Sequence, residues 1–534
     1  MIKTINSIKL NKMKKIISKI LIISAFIFIA VGCTEDFEEI NTNPLSLSTD
    51  KLADSPVLQG QAFAQAQYTS MTGLHWRFQI SQSLFSDLWS GYYATTAAGF
   101  DSDRFTQVGG WSDLAWGSFY GIAAPQIKLV EDLARESGNT VGEAMAKIVK
   151  VNGYHRMTDY WGPIPFSAFG NEELSVPYDS QQDIYSNFFT ILDEASSALS
   201  AGGSSYAGSD RTYGGDAAKW KKLSESLRLR LAMRVRFADP ALSRTQAEKA
   251  FSSGVLITDP ADNATVSTDG TNRNPLETIT NWGEFRMSAT MESILKGFGD
   301  PRMEVYFDPA ASGDSDGDGI PYEGLQNGQT KVALGTSKND GHSDLNVFYR
   351  NMSLGGANPA IDIMRASEVH FLLAEAALAG FSVGGSAKDY YESGISVSMM
   401  ERTGADAAAI AAYTNSVNTP ASFDGGTTPG VSSIPVKFND SNTESALEQI
   451  ITQKWLALFP NGWEAWAEAR RTGYPKQYAR VSSENPDVPV DQIPSRMTYV
   501  ASEFTTNIEA VNAAISGQLG GSDKNNTKLW WDKK

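Results

Sequence analysis

Cysteine is almost absent: Cys33 is the only one in 534 residues. One thiol closes no intrachain disulfide and excludes Cys-rich zinc or iron–sulfur centres. Histidine is nearly as scarce, with His75, His155, His342 and His370 scattered and no HExxH pair among them. No Gly-Lys dipeptide occurs, so there is no P-loop. Basic charge is in deficit, 45 Lys+Arg against 61 Asp+Glu, for a net charge of −16. Phosphate backbones need a clustered basic face, so nucleic acid is not an expected partner. Long apolar runs are lacking too. The uncharged run Ile20–Val31 would span roughly 18 Å as a helix, against a bilayer core of about 30 Å.

What remains is globular, with a 41% hydrophobic content that suffices for a core. The short apolar run follows six lysines and no acid, which makes residues 1–32 a secretory signal, with Met13 an alternative start. Without this segment, 39 basic and 61 acidic residues remain over 502 positions, a net −22. The run ends in Ala30-Val31-Gly32-Cys33, which resembles a bacterial lipobox, with Ala30 in place of the usual Leu. That resemblance makes Cys33 the acylated first residue and 33–50 a tether. Two or more acyl chains anchor a protein stably, at about 0.8 kcal/mol per buried CH₂. Glu35, Asp36, Glu38 and Glu39 resemble the surface-export signal of Bacteroidetes lipoproteins.

Residues 51–534 read as one α-rich domain. Helical spacing of apolar residues marks 139–162, opened by Thr140 and Glu143, and 216–237, capped by Asp216. It also marks a helix opened by Ser243, one over 364–380 stopped by Gly380, and one from Ser441 to about Phe459. Residues 57–72, 74–95, 112–136, 181–199 and 286–297 follow the same pattern. Short strands are predicted near 255–258, 303–307 and 345–350. Gly/Ser/Asp-rich loop insertions fall around 201–215, 308–345 and 403–440.

Three ordered segments carry a family resemblance. They are Met157–Phe166 (MTDYWGPIPF), Arg365–Ala376 (RASEVHFLLAEA) and Gln453–Pro475, which holds KWLALFPNGWEAWAEARRTGYP. With Asp36–Pro44 and Leu529–Asp532, they are similar to the SusD/RagB family of outer-membrane lipoproteins. The resemblance implies four degenerate tetratricopeptide-type helix pairs whose loops form a ligand face. It implies a non-enzymatic, lipid-anchored binding protein at the cell surface that hands an oligosaccharide to a SusC-like TonB-dependent transporter. Peptide or another nutrient is the alternative ligand, and a surface glycoside hydrolase or a protein-binding scaffold are the alternative roles. Within the third segment, Trp455, Phe459, Trp463 and Trp466 read as core anchors. Glu464, Glu468, Arg470 and Arg471 read as buried pairs.

Sugar rings present C–H faces that stack on aromatics, and their hydroxyls bond amides, carboxylates and guanidiniums. Loop aromatics are therefore the candidates: Trp282, with Asn281 and Arg273, and the cluster Trp89, Tyr92 and Tyr93. Asp314, Asp316 and Asp318, with Gly319 next, match the start of a calcium loop, hard oxygens for a hard cation. The closing glutamate is missing or displaced: Leu325 holds its place and Glu323 falls two residues early. Any Ca²⁺ there is expected to pin a loop. No other cofactor is expected.

Overall fold

Side chains at the ends of the helical segments set the architecture. The structure is a computed structural model that describes Met13 and residues 55–71, 75–173, 175–336, 339–350 and 357–534. Apart from Met13, the signal segment 1–32, Cys33 and the 33–50 tether lie outside the described residues. The chain from Pro56 to Lys534 forms a single compact unit. Among the described residues no helix is long and apolar enough to cross a membrane.

The helices that position the site are α1 (Pro56–Ser70), α2 (His75–Phe78), α3 (Ala124–Glu136), α4 (Thr140–Trp161), α5 (Gln181–Leu199), α6 (Ala217–Arg234) and α7 (Pro240–Ser252). They continue with α8 (Leu276–Ile279), α9 (Ala289–Phe298), α10 (Ala366–Leu378), α11 (Ala387–Thr403), α12 (Thr443–Leu458) and α13 (Gly462–Thr472). Neighbours in sequence pack as tetratricopeptide-like pairs: α3 on α4, α4 on α5, α6 on α7, α10 on α11, α12 on α13. Side-chain oxygens cap several of them. Asp216 accepts from the amides of Ala218 and Lys219 at the head of α6, as expected. Elsewhere the cap is displaced from the predicted one, upstream in two helices and one residue downstream in the third. Asn139, not Thr140, accepts from Gly142; Asp239 caps α7 ahead of Ser243; Asn442 caps α12 in place of Ser441. At α7 the cap is set by Pro240, which starts the helix directly after Asp239 and leaves Ser243 inside it.

The strands also fall elsewhere than predicted. They are β1 (Tyr93–Thr95), β2 (Ala264–Val266), β3 (Phe285–Met287) and β4 (Ile361–Met364), forming two antiparallel pairs, β1–β3 and β2–β4. In the first, Tyr93 stands opposite Met287 and Thr95 opposite Phe285. Residues 303–306 form a helical turn and 347–349 a 3₁₀ turn instead of strands. The predicted helix 74–95 is α2 running into a π-helical stretch, Gln79–Asp87, before β1 begins. The 403–440 insertion carries a short helix, Ala407–Thr414.

The core is aromatic and ionic. Trp455, Phe459, Trp463 and Trp466 are buried as expected. Tyr160 stacks on Trp463 with ring centroids 3.7 Å apart. Threaded through them is a buried charge network. Arg230 of α6 grips Glu368 of α10 through Nε (2.7 Å) and Nη2 (2.6 Å). Arg234 reaches Asp159 of α4 at 3.0 Å and also Glu464 of α13. Arg471 holds Glu375, and Lys454 of α12 lies 3.4 Å from Glu468. Helices from five parts of the chain are joined by these contacts.

Candidate functional site

A cavity of about 270 Å³ opens where α2, α4, α8, β4 and the α12–α13 turn converge. Its apolar wall includes Phe78, Phe348 and Tyr349; its polar wall includes Arg156, Asn274 and Asp362. Arg156, on α4, donates to the carbonyl of Ser70 (3.2 Å) and to Gln82 Oε1 (3.1 Å), with its guanidinium 4.3 Å above the Trp463 ring. Burial lowers its pKa to about 10, so it stays charged at neutral pH. Asp362, on β4, sits between Arg365 (2.7 Å) and Arg402 (3.0 Å). Burial alone would raise its pKa, but the two guanidiniums prevail and hold it below the usual range. Asn274 is fixed by its amide donating to the Pro359 carbonyl at 3.0 Å. The cavity thus offers flat apolar surface beside both donors and acceptors, the mixture that orients a polar ligand.

Three large aromatics stand exposed on the elements that build this cavity. Trp282, just after α8, is 44% exposed; Trp76, on α2 beside Phe78, is 38% exposed; Phe348, in the wall itself, is 41% exposed. The α2 and Trp282 segments are tied together, Gln79 donating to Glu284 at 2.7 Å. The expected Trp282 is therefore at the surface. Asn281, its neighbour, donates to the Glu277 carbonyl at 2.8 Å, and Arg273 pairs with the buried Glu277 at 3.1 Å. Both side chains are engaged in holding the α8 turn.

The other expected cluster is corrected. Trp89, Tyr92 and Tyr93 are 0–1% exposed and reach no ligand face. Trp89 donates to the Ser102 carbonyl (2.9 Å) and packs 5.0 Å from Trp466; Tyr92 donates to the Trp455 carbonyl at 2.6 Å. Tyr93 packs 5.8 Å from Phe459. The segment faces the core because β1 pairs with β3 and is buried along its whole length. The sequence reading missed Trp76, Phe348 and Arg156. Trp76 and Phe348 have no pattern to separate them from core aromatics. Arg156, directly before Met157, is the one a closer reading of that segment would find.

Asp314, Asp316 and Asp318 do lie together, with carboxylate oxygens within 4.8 Å of one another. Asp314 is engaged by the amides of Gly317 (2.7 Å) and Gly319 (2.8 Å). Glu323 turns back onto Ser315, and Lys296 of α9 projects its ammonium to 2.9 Å from Asp318 and 3.4 Å from Asp316. The loop thus carries a cation of its own, and a calcium ion would share these carboxylates with the lysine.

The SusD-like family model, described as the Susd and RagB outer-membrane lipoproteins, matches residues 39–532. The chain belongs to the SusD/RagB family. Three solved structures place it further. A chitin-binding SusD homologue from Flavobacterium johnsoniae is 32% identical, covering 89% of this chain and 98% of its own, with a TM-score of 0.81. A SusD homologue from Bacteroides uniformis is also 32% identical, covering 89% and 99%, with a TM-score of 0.80. A third, from Bacteroides vulgatus, is 31% identical, covering 88% and 97%, again at 0.80. No curated protein matches the sequence. As a SusD/RagB protein, the chain is an outer-membrane lipoprotein.

Proposed function

We propose that this SusD/RagB protein captures an oligosaccharide at the cavity between α2, α8 and β4 and delivers it to a SusC-like TonB-dependent transporter at the cell surface. The observation that carries the reading is the exposure of Phe348 in the wall of a cavity whose polar side holds Arg156, Asn274 and Asp362, with Trp76 and Trp282 exposed on α2 and just after α8, two elements that line it. The aromatic faces take the sugar's C–H faces, and the polar wall takes its hydroxyls. The protein performs no chemistry in this reading. The chitin-binding homologue makes chito-oligosaccharides the first probe. A structural Ca²⁺ at Asp314, Asp316 and Asp318, with Lys296 swung aside, belongs to the same reading, and calcium titration of chelator-treated protein checks it.

The test is affinity electrophoresis of the mature chain through gels containing a polysaccharide panel, with the mixtures assayed for new reducing ends. Retardation without release supports the reading. Release of reducing ends overturns its non-catalytic part. Retention of peptides and no glycan moves the ligand class to peptide. Co-purification with a TonB-dependent barrel tests delivery.

A further inference from the structure

A second cavity, of about 320 Å³, lies beyond the C-terminal end of α13 and shares no lining residue with the first. Chain 473–480 leaves the helix and 490–495 returns beside it, joined by the Arg480 amide donating to the Val490 carbonyl at 2.8 Å. Four cationic side chains line it, Arg470, Lys476, Arg480 and Lys528, against two carboxylates, Asp491 and Asp532. This excess occurs in a protein whose net charge is −16.

The two arginines are buried, and among the described residues neither has a carboxylate within 4.0 Å; their hydrogen bonds go to neutral acceptors. Arg470 donates through Nη1 to the carbonyls of Asp159 (2.6 Å) and Ser495 (2.9 Å), and through Nε to that of Trp466 (3.2 Å). Its guanidinium lies 3.5 Å over the Trp466 ring, and among the described residues its Nη2 has no hydrogen-bond partner. Arg480 donates through Nη2 to the Leu88 carbonyl (2.7 Å) and through Nη1 to Gln477 (3.4 Å), and its Nε has no partner. Burial lowers their pKa values to about 9 and about 10, with Asp159 and Asp103 only partly offsetting it. Lys528 pairs with Asp532 at 3.2 Å, and burial raises the pKa of that carboxyl. A buried guanidinium without an anion is costly, and two beside one cavity are the donor set that oxyanions complete.

We propose that this cavity is an oxyanion site, taking the carboxylate of an acidic sugar or a phosphate or sulfate group. It stands independently of the glycan reading of the first cavity. The experiment titrates the mature chain with D-glucuronate, inorganic phosphate and inorganic sulfate by calorimetry, against chloride at matched ionic strength. At least one probe is expected to bind saturably, and the probe preferred separates a carboxylate source from a phosphate or sulfate one. The Lys476→Ala/Lys528→Ala double variant, altered only at the mouth, is expected to weaken binding about fivefold with an unchanged melting temperature. Arg480→Gln is expected to abolish it, and the double variant keeps the test decisive if Arg480→Gln fails to fold. No saturable binding of any probe above chloride overturns the proposal. Binding undiminished in the double variant does so too.

Discussion

Arg471 clasps Glu375 with both guanidinium arms, Nη1 to Oε1 and Nη2 to Oε2, each at 2.6 Å and fully out of solvent. The first residue is on α13 and the second on α10, so the pair joins the signature segment to a helix almost a hundred residues earlier. Burial alone would raise the pKa of Glu375. Arg471 and Arg236 overcome it and hold the carboxylate below its usual range.

Breaking this pair from one side leaves an uncompensated buried charge. Glu375→Gln is expected to cost about 3–5 kcal/mol in urea unfolding. Glu392→Gln, which breaks the exposed Lys388–Glu392 pair, is expected to cost less than about 1 kcal/mol. Equal costs would contradict the role given to the network.

The exposed and buried aromatics separate binding from folding. Trp282→Ala combined with Trp76→Ala is expected to weaken retention of the bound glycan at least about tenfold, about 1.4 kcal/mol. Its melting temperature should hold. Trp89→Ala is expected to do the reverse, losing about 3–5 kcal/mol of stability as a core truncation. Full retention by the double variant would remove the aromatic cavity as the site.

Asp87 supplies a pH test. Its carboxylate is buried against Gln82 (3.0 Å) and the start of α13, and burial raises its pKa to about 7. The folded state therefore holds this proton more tightly than the unfolded chain. The stability it contributes is complete below about pH 4 and is lost as the pH rises through about 7. Against Asp87→Asn, the wild type should lose relative stability between about pH 4 and about pH 7 and level off above. A difference that does not change with pH would contradict the assignment.

Gly297 lies on α9 where the 403–440 insertion crosses it. Ser293 Oγ donates to the Ala421 carbonyl at 2.6 Å, and the Ala421 amide returns a bond to the Ser293 carbonyl at 2.8 Å. A Cβ at Gly297 would strike the backbone of Thr419–Ala421. Gly297→Ala is expected to lift the insertion and speed its limited proteolysis. Gly299→Ala serves as the neighbouring comparison, where the nearest neighbour is a side-chain amide at 3.9 Å and the positive φ is the only strain. Unchanged cleavage of Gly297→Ala would show that the insertion is held elsewhere.

The frame was legible where period and cap agreed. Helix 181–199 lies within its predicted bounds because Ser180 caps it and Ile184, Phe188 and Leu192 recur along one face. Glu368 and Glu375, seven residues apart and so on one face of α10, meet arginines from α6 and α13. Of the candidate site, the sequence pointed only to Trp282, which the structure places at the surface. Tyr92 and Tyr93 follow the helical run closely enough to read as its loop. Their burial is decided by β3, almost two hundred residues away. Arg470 was read as half of an ion pair, yet it donates only to carbonyls, because Arg234 and Arg471 already hold the nearby carboxylates.

The network of Arg230, Arg234, Arg471 and their carboxylates lies wholly in the long helices, while Trp76, Trp282 and Phe348 sit on the short helix α2 and on two 3₁₀ turns that add no ion pair to it. In the proposed reading, the three aromatics stand apart from the ion pairs that join the helices, whereas Arg156, stacked on Trp463, and Asp362, paired with Arg365 and Arg402, serve the cavity wall and the fold at once. If that reading holds, substitutions at the three aromatics alter what is bound at little cost to the fold, and substitutions in the polar wall alter both.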